Sequence, residues 1–399
     1  MSVNEDLHHT FPLCRQFLRL VGVWPDPDAL LSDFRRSKIR FIITVFIMSI
    51  YVCVPQFMNV IRSWGNMDLV MQHIASANYS FLACCKLVVA RYYNETLRTL
   101  VTSITADWAT SKETWQRNTM LKIARRGRSL SLRCYMSCTI TVMFYVIFNL
   151  IKFHRTLHQP ERKLIYQFAY PYDYEKSPNY EITFFIQMSG GAFTAIVNSS
   201  VDSFVSILVL HVCAQLINLR TTLNETINRL AEKSISSSKF RRSLIAIVVR
   251  HEHLIRNVER INDCYSTVLF IHMIAATFQL CFETFQIFTI ITDKSANVSI
   301  IKMAFLVFYV TVVLTHLYFY CYSAETLLAE STNMAYGVYE CKWYDIPSRD
   351  AKDLMFIAHR SKIPLKLTIG KFSTFSLEMF GTTVKSSMGY LSAFLSMSD

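Results

Sequence analysis

Glycine and proline are scarce, nine of each in 399 residues. That excludes a collagen-like or Gly/Pro-rich disordered chain. No Pro-, Gly- or Ser-rich linker, low-complexity tract or internal repeat interrupts the sequence, so the several domains usual for a soluble chain of this length are not indicated. Charged residues make up only 18%. Motifs for enzyme chemistry are missing too. His251-Glu252-His253 lacks the i, i+4 histidine pair of a zinc protease. His154 and His158 are four apart but have no third ligand nearby. No glycine loop is built to cradle a phosphate. Neither catalytic residue, metal nor cofactor is expected.

Apolar residues are what the chain has: 52% of it, with a mean hydropathy of +0.26. A helix needs about 20 apolar residues to cross hydrocarbon. Runs of that kind lie at 41–61, 69–90, 134–151, 182–217, 264–291 and 300–322. A seventh candidate, FGTTVKSSMGYLSAFLSM at 380–397, is long enough but carries six Ser or Thr, a lysine and two glycines. Hydropathy alone misses it. Asn4, Glu5 and Asp6 near the start do not suit a secretory signal, and the run from Phe41 is too long for a cleaved one.

The run at 182–217 is too long for one crossing, at about 1.5 Å per residue. It is one protruding helix or two short ones. Lys and Arg concentrate on the cytoplasmic side. With seven crossings, 30 of the 41 basic residues fall on the N-terminal side and 8 on the other. Splitting the run makes the tally 17 against 21, and the bias disappears. The expected fold is therefore all-α: a polytopic membrane protein of seven transmembrane helices. Its N-terminus is cytoplasmic, its C-terminus extracellular, and its long fourth helix protrudes into the cytoplasm. One seven-helix domain covers 1–399. It has a cytoplasmic N-terminal segment at 1–40 and helices one to six within 41–322. A cytoplasmic anchor segment at 323–371 and a closing helix at 372–397 follow. The net charge of +12 is a topology signal, spread over four cytoplasmic segments, and not a nucleic-acid surface. None of the 11 cysteines falls in the three predicted outside loops, so no structural disulfide is expected.

Seven helices invite comparison with G-protein-coupled receptors. An inside N-terminus opposes it, Ala90-Arg-Tyr-Tyr93 lacks the acid of that family's arginine motif, and no Asn-Pro-x-x-Tyr occurs in the last helix. The transporter alternative lacks an inverted repeat and Gly/Pro-broken helix pairs. Other stretches are more informative: LRLVGVWPDP (18–27), HEHLIRNVERINDCYS (251–266), SAETLLAESTNMAYGVYECKWYDIP (323–347) and the closing Lys-Ser-Ser…Tyr…Leu run. With them the chain resembles an insect odorant receptor, over essentially its whole length. The gustatory relatives are an alternative, but their Thr-Tyr…Gln-Phe signature is absent.

The resemblance implies an odorant-sensing subunit of a ligand-gated, non-selective cation channel. Such a subunit assembles with a shared co-receptor into a heterotetramer in the plasma membrane of a sensory dendrite. The seventh helices surround the pore, and a volatile hydrophobic ligand binds in the outer half of the bundle. By the same resemblance, the short loop between the fourth and fifth spans, where the co-receptor type has an extended one, makes the chain look like the odour-specific subunit. In the last helix, Thr382, Ser386, Gly389, Ala393 and Met397 share one face, and Val384, Met388, Leu391 and Leu395 another. The first stripe suits either water lining or close helix packing; the resemblance implies pore lining, with Ala393 and Met397 at the constriction. Lys385 is awkward there, because a positive ring opposes cation flow. It points into a side crevice, or too few subunits carry it to matter.

Aromatic and Met side chains near the outer span ends suit a small volatile ligand. The expected set is Met71, Ile74, Tyr79, Met143, Ile147, Met188, Phe193, Phe305 and Tyr309, with Tyr79 and Tyr309 favoured because a hydroxyl in hydrocarbon needs a partner. Asp202 and Glu283 within spans are read as polar ties between helices. Lys86 is expected to snorkel to the cytoplasmic interface, and Gly190-Gly191 to allow close helix approach. Two cytoplasmic faces, Leu216/Leu219/Leu223/Ile227/Leu230 and Ile245/Val248/Val249/Ile255/Val258, should pack an anchor with Leu354–Ile357.

Overall fold

The computed structural model describes residues 11–27, 31–111, 113–157, 162–168, 170–292, 300–370 and 372–398, without the side chains at 12, 31, 67–68, 157, 301 and 393–398. His158, Asn297 and Lys371, and the side chains of Ala393 and Met397, lie outside that description.

Among the described residues the regular secondary structure is helical apart from one small hairpin. The helices are α1 (Pro12–Leu20), α2 (Leu31–Phe46), α3 (Val54–Arg62), α4 (Met67–Tyr92), α5 (Asn94–Thr110), α6 (Thr114–Leu157), α7 (Asn179–Ala231), α8 (Ser237–Thr292), α9 (Ile300–Gly337), α10 (Ser348–Ser361) and α11 (Leu377–Ser398). Six stretches are long and apolar enough to span a bilayer: 32–62, 69–92, 114–156, 179–231, 237–292 and 302–337. α11 is the seventh helix, 22 residues long, and its serines and threonines keep it below that hydropathy.

The run at 182–217 is a single helix. α7 continues for 53 residues, roughly 80 Å at 1.5 Å per residue. No proline interrupts it, and nearly all of its middle is buried by α6, α8 and α9. α6, α8 and α9, of 44, 56 and 38 residues, are likewise longer than a crossing requires. The first span is less regular. A π-helical stretch, Ile47–Cys53, joins α2 to α3 just before Pro55. Proline has no N–H for the carbonyl four residues back, so the regular ladder gives way there.

Beyond the spans, helix periodicity sets the packing. Leu216, Leu219, Leu223, Ile227 and Leu230 are all buried, as are Leu354 and Ile357 of α10. On α8 the expected face is corrected in its first half. Ile255 and Val258 are buried as expected, but Ile245, Val248 and Val249 are exposed, and the buried face runs through Phe240, Leu244, Ile247, Leu254, Val258 and Ile261. This buried set keeps 3- and 4-residue steps along the helix, apart from the place of buried His251. The polar partner of this region is Asp107. Its Oδ2 lies 3.0 Å from His211 Nε2 and its Oδ1 2.6 Å from Arg250 Nη2. Burial alone would raise the Asp107 carboxyl, but His211 and Arg250 outweigh it and hold the group below the usual carboxylate range.

The GVWP bend is a packing device. Gly22 has φ +75°, and a Cβ there would meet Phe41 N at 2.6 Å, so glycine is required. The bend sends Trp24 against Phe11 and Phe204. Near the other end, Thr368–Ile369 pairs antiparallel with Ser373–Thr374. Gly370 N donates to Ser266 O at 2.9 Å, tying this hairpin to α8 ahead of α11.

Candidate functional site

A cavity of about 160 Å³ lies among the spans, between α3, α4, α6, α7, α8 and α9. Each helix contributes residues at its own spacing. α4 supplies Gln72, Ser76, Tyr79 and Ser80; α6 supplies Cys138, Thr141, Val142 and Tyr145; α9 supplies Phe305, Leu306, Tyr309 and Val312. Gln56, Tyr166, Gly191, Thr194, Ala195, Glu283 and Gln286 close it. Steps of three and four along each helix direct these side chains inward together.

Aromatic rings form one side. Tyr79 packs edge-on to Tyr309 with centroids 5.3 Å apart, and Phe305 stacks on Tyr309 at 5.7 Å. Tyr145 and Tyr166 meet through their hydroxyls at 3.4 Å. Gly191 makes room for this pair, since a Cβ there would lie 2.7 Å from Tyr145 Oη. Gly190 plays the same part on the other side, against Ile47 and Val52 of the π-helical stretch. A polar ladder leads from α4 along α8 to the cavity. Asn78 Nδ2 donates to Gln279 Oε1 at 3.2 Å, and Gln279 Nε2 donates to Glu283 Oε1 at 3.0 Å. Glu283 is 4% exposed, and its Oε2 has no hydrogen-bond partner.

A smaller void of about 20 Å³ lies next to the cavity and shares Tyr79 and Val312 with it. That is space for about one water molecule. It is lined also by Lys86, His272 and His316. Here α7 presents Asp202, eleven residues past Gly191, or about three helical turns. One Asp202 oxygen is 2.6 Å from Lys86 Nζ and accepts from Tyr320 Oη at 2.6 Å; the other is 2.6 Å from His316 Nδ1. Asp202 and Lys86 are both 0% exposed. The expectation that Lys86 snorkels is thereby corrected. A buried carboxylate holds its ammonium, because two charges out of water are tolerable only as a pair.

Of the nine residues expected to bind ligand, the structure brings Tyr79, Phe305 and Tyr309 together in the cavity. The others sit elsewhere. Met71 and Ile74 pack with Cys281, Phe282, Phe285 and Leu391. Met188 packs near Leu164, Tyr180 and Phe184, and Phe193 against the main core. Met143 and Ile147 are 57% and 43% exposed on the outer surface of α6. Apolar side chains face lipid as readily as a cavity, so size and greasiness could not separate the two. The polar lining had a legible signal instead. Ser76, Ser80, Thr141 and Thr194 are polar groups inside apolar spans, which turn inward.

In α11, Thr383, Ser387 and Leu391 are buried, against α8 and α9. Thr382, Lys385, Ser386 and Gly389 are exposed on the opposite side.

The family model described as 7tm Odorant receptor matches residues 66–388. Odorant receptor 13a of Drosophila melanogaster is 22% identical, over 96% of this chain and 94% of its own. The odorant receptor coreceptor of Drosophila melanogaster is 28% identical over 144 residues, 36% of this chain and 28% of the coreceptor. The solved structure of the insect olfactory receptor OR5 from Machilis hrabei in complex with eugenol superposes with a TM-score of 0.84. It covers 99% of this chain and 100% of that one at 16% identity.

Proposed function

Because the chain belongs to the 7tm odorant receptor family, we propose that the cavity beneath Tyr79, Phe305 and Tyr309 is its odorant site. The chain is a multi-pass membrane protein and an odorant-sensing subunit of a heteromeric ligand-gated channel, in a family of receptors, not of enzymes. The observation that carries the site is the cavity itself. It is bordered by six helices and combines aromatic and apolar side chains with convergent polar groups, which is the usual form of a small-molecule site. About 160 Å³ matches a molecule of one ring or a short chain.

Pore lining by Thr382, Ser386, Gly389, Ala393 and Met397 is the companion proposal. Support comes from the first three being exposed in the single chain, open to water or to a neighbouring subunit. Lys385 is exposed on the same side and in this reading points off the pore axis. A coreceptor subunit is the partner, at the cytoplasmic end of the bundle. Ile245, Val249, Met355 and Phe356 are exposed apolar side chains there, and such clusters mark protein contacts. The N-terminus is cytoplasmic, and the assembly resides in the plasma membrane of a sensory dendrite.

Coexpression in oocytes with a coreceptor tests the function. An odour panel evokes cation current only when both chains are present; no current with any coreceptor refutes it. Glycan mapping tests the orientation. Asn94-Glu-Thr and Asn224-Glu-Thr remain unmodified if they are cytoplasmic, and a glycan on either reverses the topology.

A further inference from the structure

We propose that the cavity selects small amines, with Glu283 as the residue that recognises the amino group. This rests on the reading of the cavity as the odorant site. Glu283 is the lone acid of the lining. Gln279 satisfies one of its oxygens, at 3.0 Å. The other is buried without a hydrogen-bond partner, and among the described residues no basic side chain pairs with the carboxyl. A buried carboxyl oxygen left so is unfavourable unless a partner arrives. Helix-to-helix cohesion does not account for it, because the Asn78–Gln279 bond already ties α4 to α8. Thus the ligand is the group that completes it.

The rest of the lining narrows the chemistry. Tyr79, Tyr145, Tyr166, Phe305 and Tyr309 border the same space. Ring faces carry negative potential and attract ammonium groups. An acid and several rings around one small void is an environment for a cation with an apolar body. An alcohol satisfies the carboxyl but gains nothing from the rings' negative faces; a hydrocarbon leaves the oxygen bare. Ligand and residue reach the same bound pair from either side. A protonated amine meets the carboxylate, or a neutral amine takes the proton of the carboxylic acid, the O–H bond breaking as the N–H bond forms. The result is a charge-assisted hydrogen bond between ammonium and carboxylate, stronger than a neutral one.

The experiment is electrophysiology on oocytes coexpressing this chain and a coreceptor. A panel of small amines, benzylamine and hexylamine among them, is applied beside the alcohol, aldehyde and hydrocarbon of each carbon frame. Amines activate at concentrations about tenfold or more below their neutral counterparts. Glu283→Gln raises the amine half-maximal concentration about tenfold and changes that of the weaker neutral agonists by less than about twofold. Glu283→Asp, which keeps the carboxyl, retains the amine preference. Currents evoked only by neutral members, or amine responses unchanged in Glu283→Gln, overturn the proposal and leave the odorant-receptor reading standing. If Glu283→Gln fails to reach the cell surface, the wild-type ranking decides alone. Silence toward every compound, when the same coreceptor works with another odorant receptor, refutes the function itself.

Discussion

Two buried acids on adjacent helices, Asp202 of α7 and Glu283 of α8, are treated in opposite ways. Asp202 is gripped by Lys86, His316 and Tyr320, each at 2.6 Å, next to a void for one water. Glu283 has a single amide partner and faces 160 Å³ of space. Both looked alike in the sequence, as lone carboxyls inside apolar runs. The difference teaches what each is for. An acid with three partners recruited holds helices together, whereas an acid left short of partners beside a cavity awaits something from outside.

The largest effect should come from breaking the first. Asp202→Ala strands the Lys86 ammonium in the core, at a cost of about 3–5 kcal/mol. Surface biotinylation should show little mature protein, and the pair Asp202→Leu with Lys86→Met should restore much of it. Normal surface levels of Asp202→Ala would mean that the pair is dispensable. Next is Gly191→Val. Its side chain collides with Tyr145, overpacking worth about 1–3 kcal/mol, and dose–response curves should lose at least tenfold in sensitivity as the cavity narrows.

At the cytoplasmic end, Asp107→Asn should lower the melting temperature of the detergent-solubilised protein. It weakens charged hydrogen bonds worth about 1.5–3 kcal/mol. The pH dependence has a definite sign. The folded-state Asp107 carboxyl lies below its usual range, so its contribution is complete above the unfolded carboxylate value. It fades as pH falls from there through the depressed folded value. Melting followed from pH 6 downward should therefore decline more steeply in the parent than in Asp107→Asn. The smallest effect completes the contrast between the acids. Glu283→Leu should change stability by less than about 1 kcal/mol, or raise it, since it removes an unsatisfied buried oxygen. A loss like that of Asp202→Ala would make Glu283 a structural tie after all.

Legibility divided along the same line. Among the cavity's aromatic members, Tyr79 and Tyr309 were legible because a hydroxyl in hydrocarbon is conspicuous, and Phe305 because aromatic side chains near the outer span ends suit a small ligand. Met143 and Ile147 were misplaced because lipid and cavity call for the same apolar surface. On α8, Ile245, Val248 and Val249 were as apolar as Ile247, and only the position of α7 decides which face is covered. Lys86 was read against the membrane when its partner lay 116 residues along the chain.

What the sequence determined by itself is whatever a single helix records: apolar run length, the 3.6-residue face, and the side on which basic loops stay. Those properties are local, so they specified seven helices, an unbroken fourth and a polar last one. The tertiary structure decided what lies across from each face. Whether Asp202 meets a lysine and Glu283 lines a cavity depends on how α4, α7, α8 and α9 pack laterally, and lateral packing is a long-range contact that no local periodicity encodes.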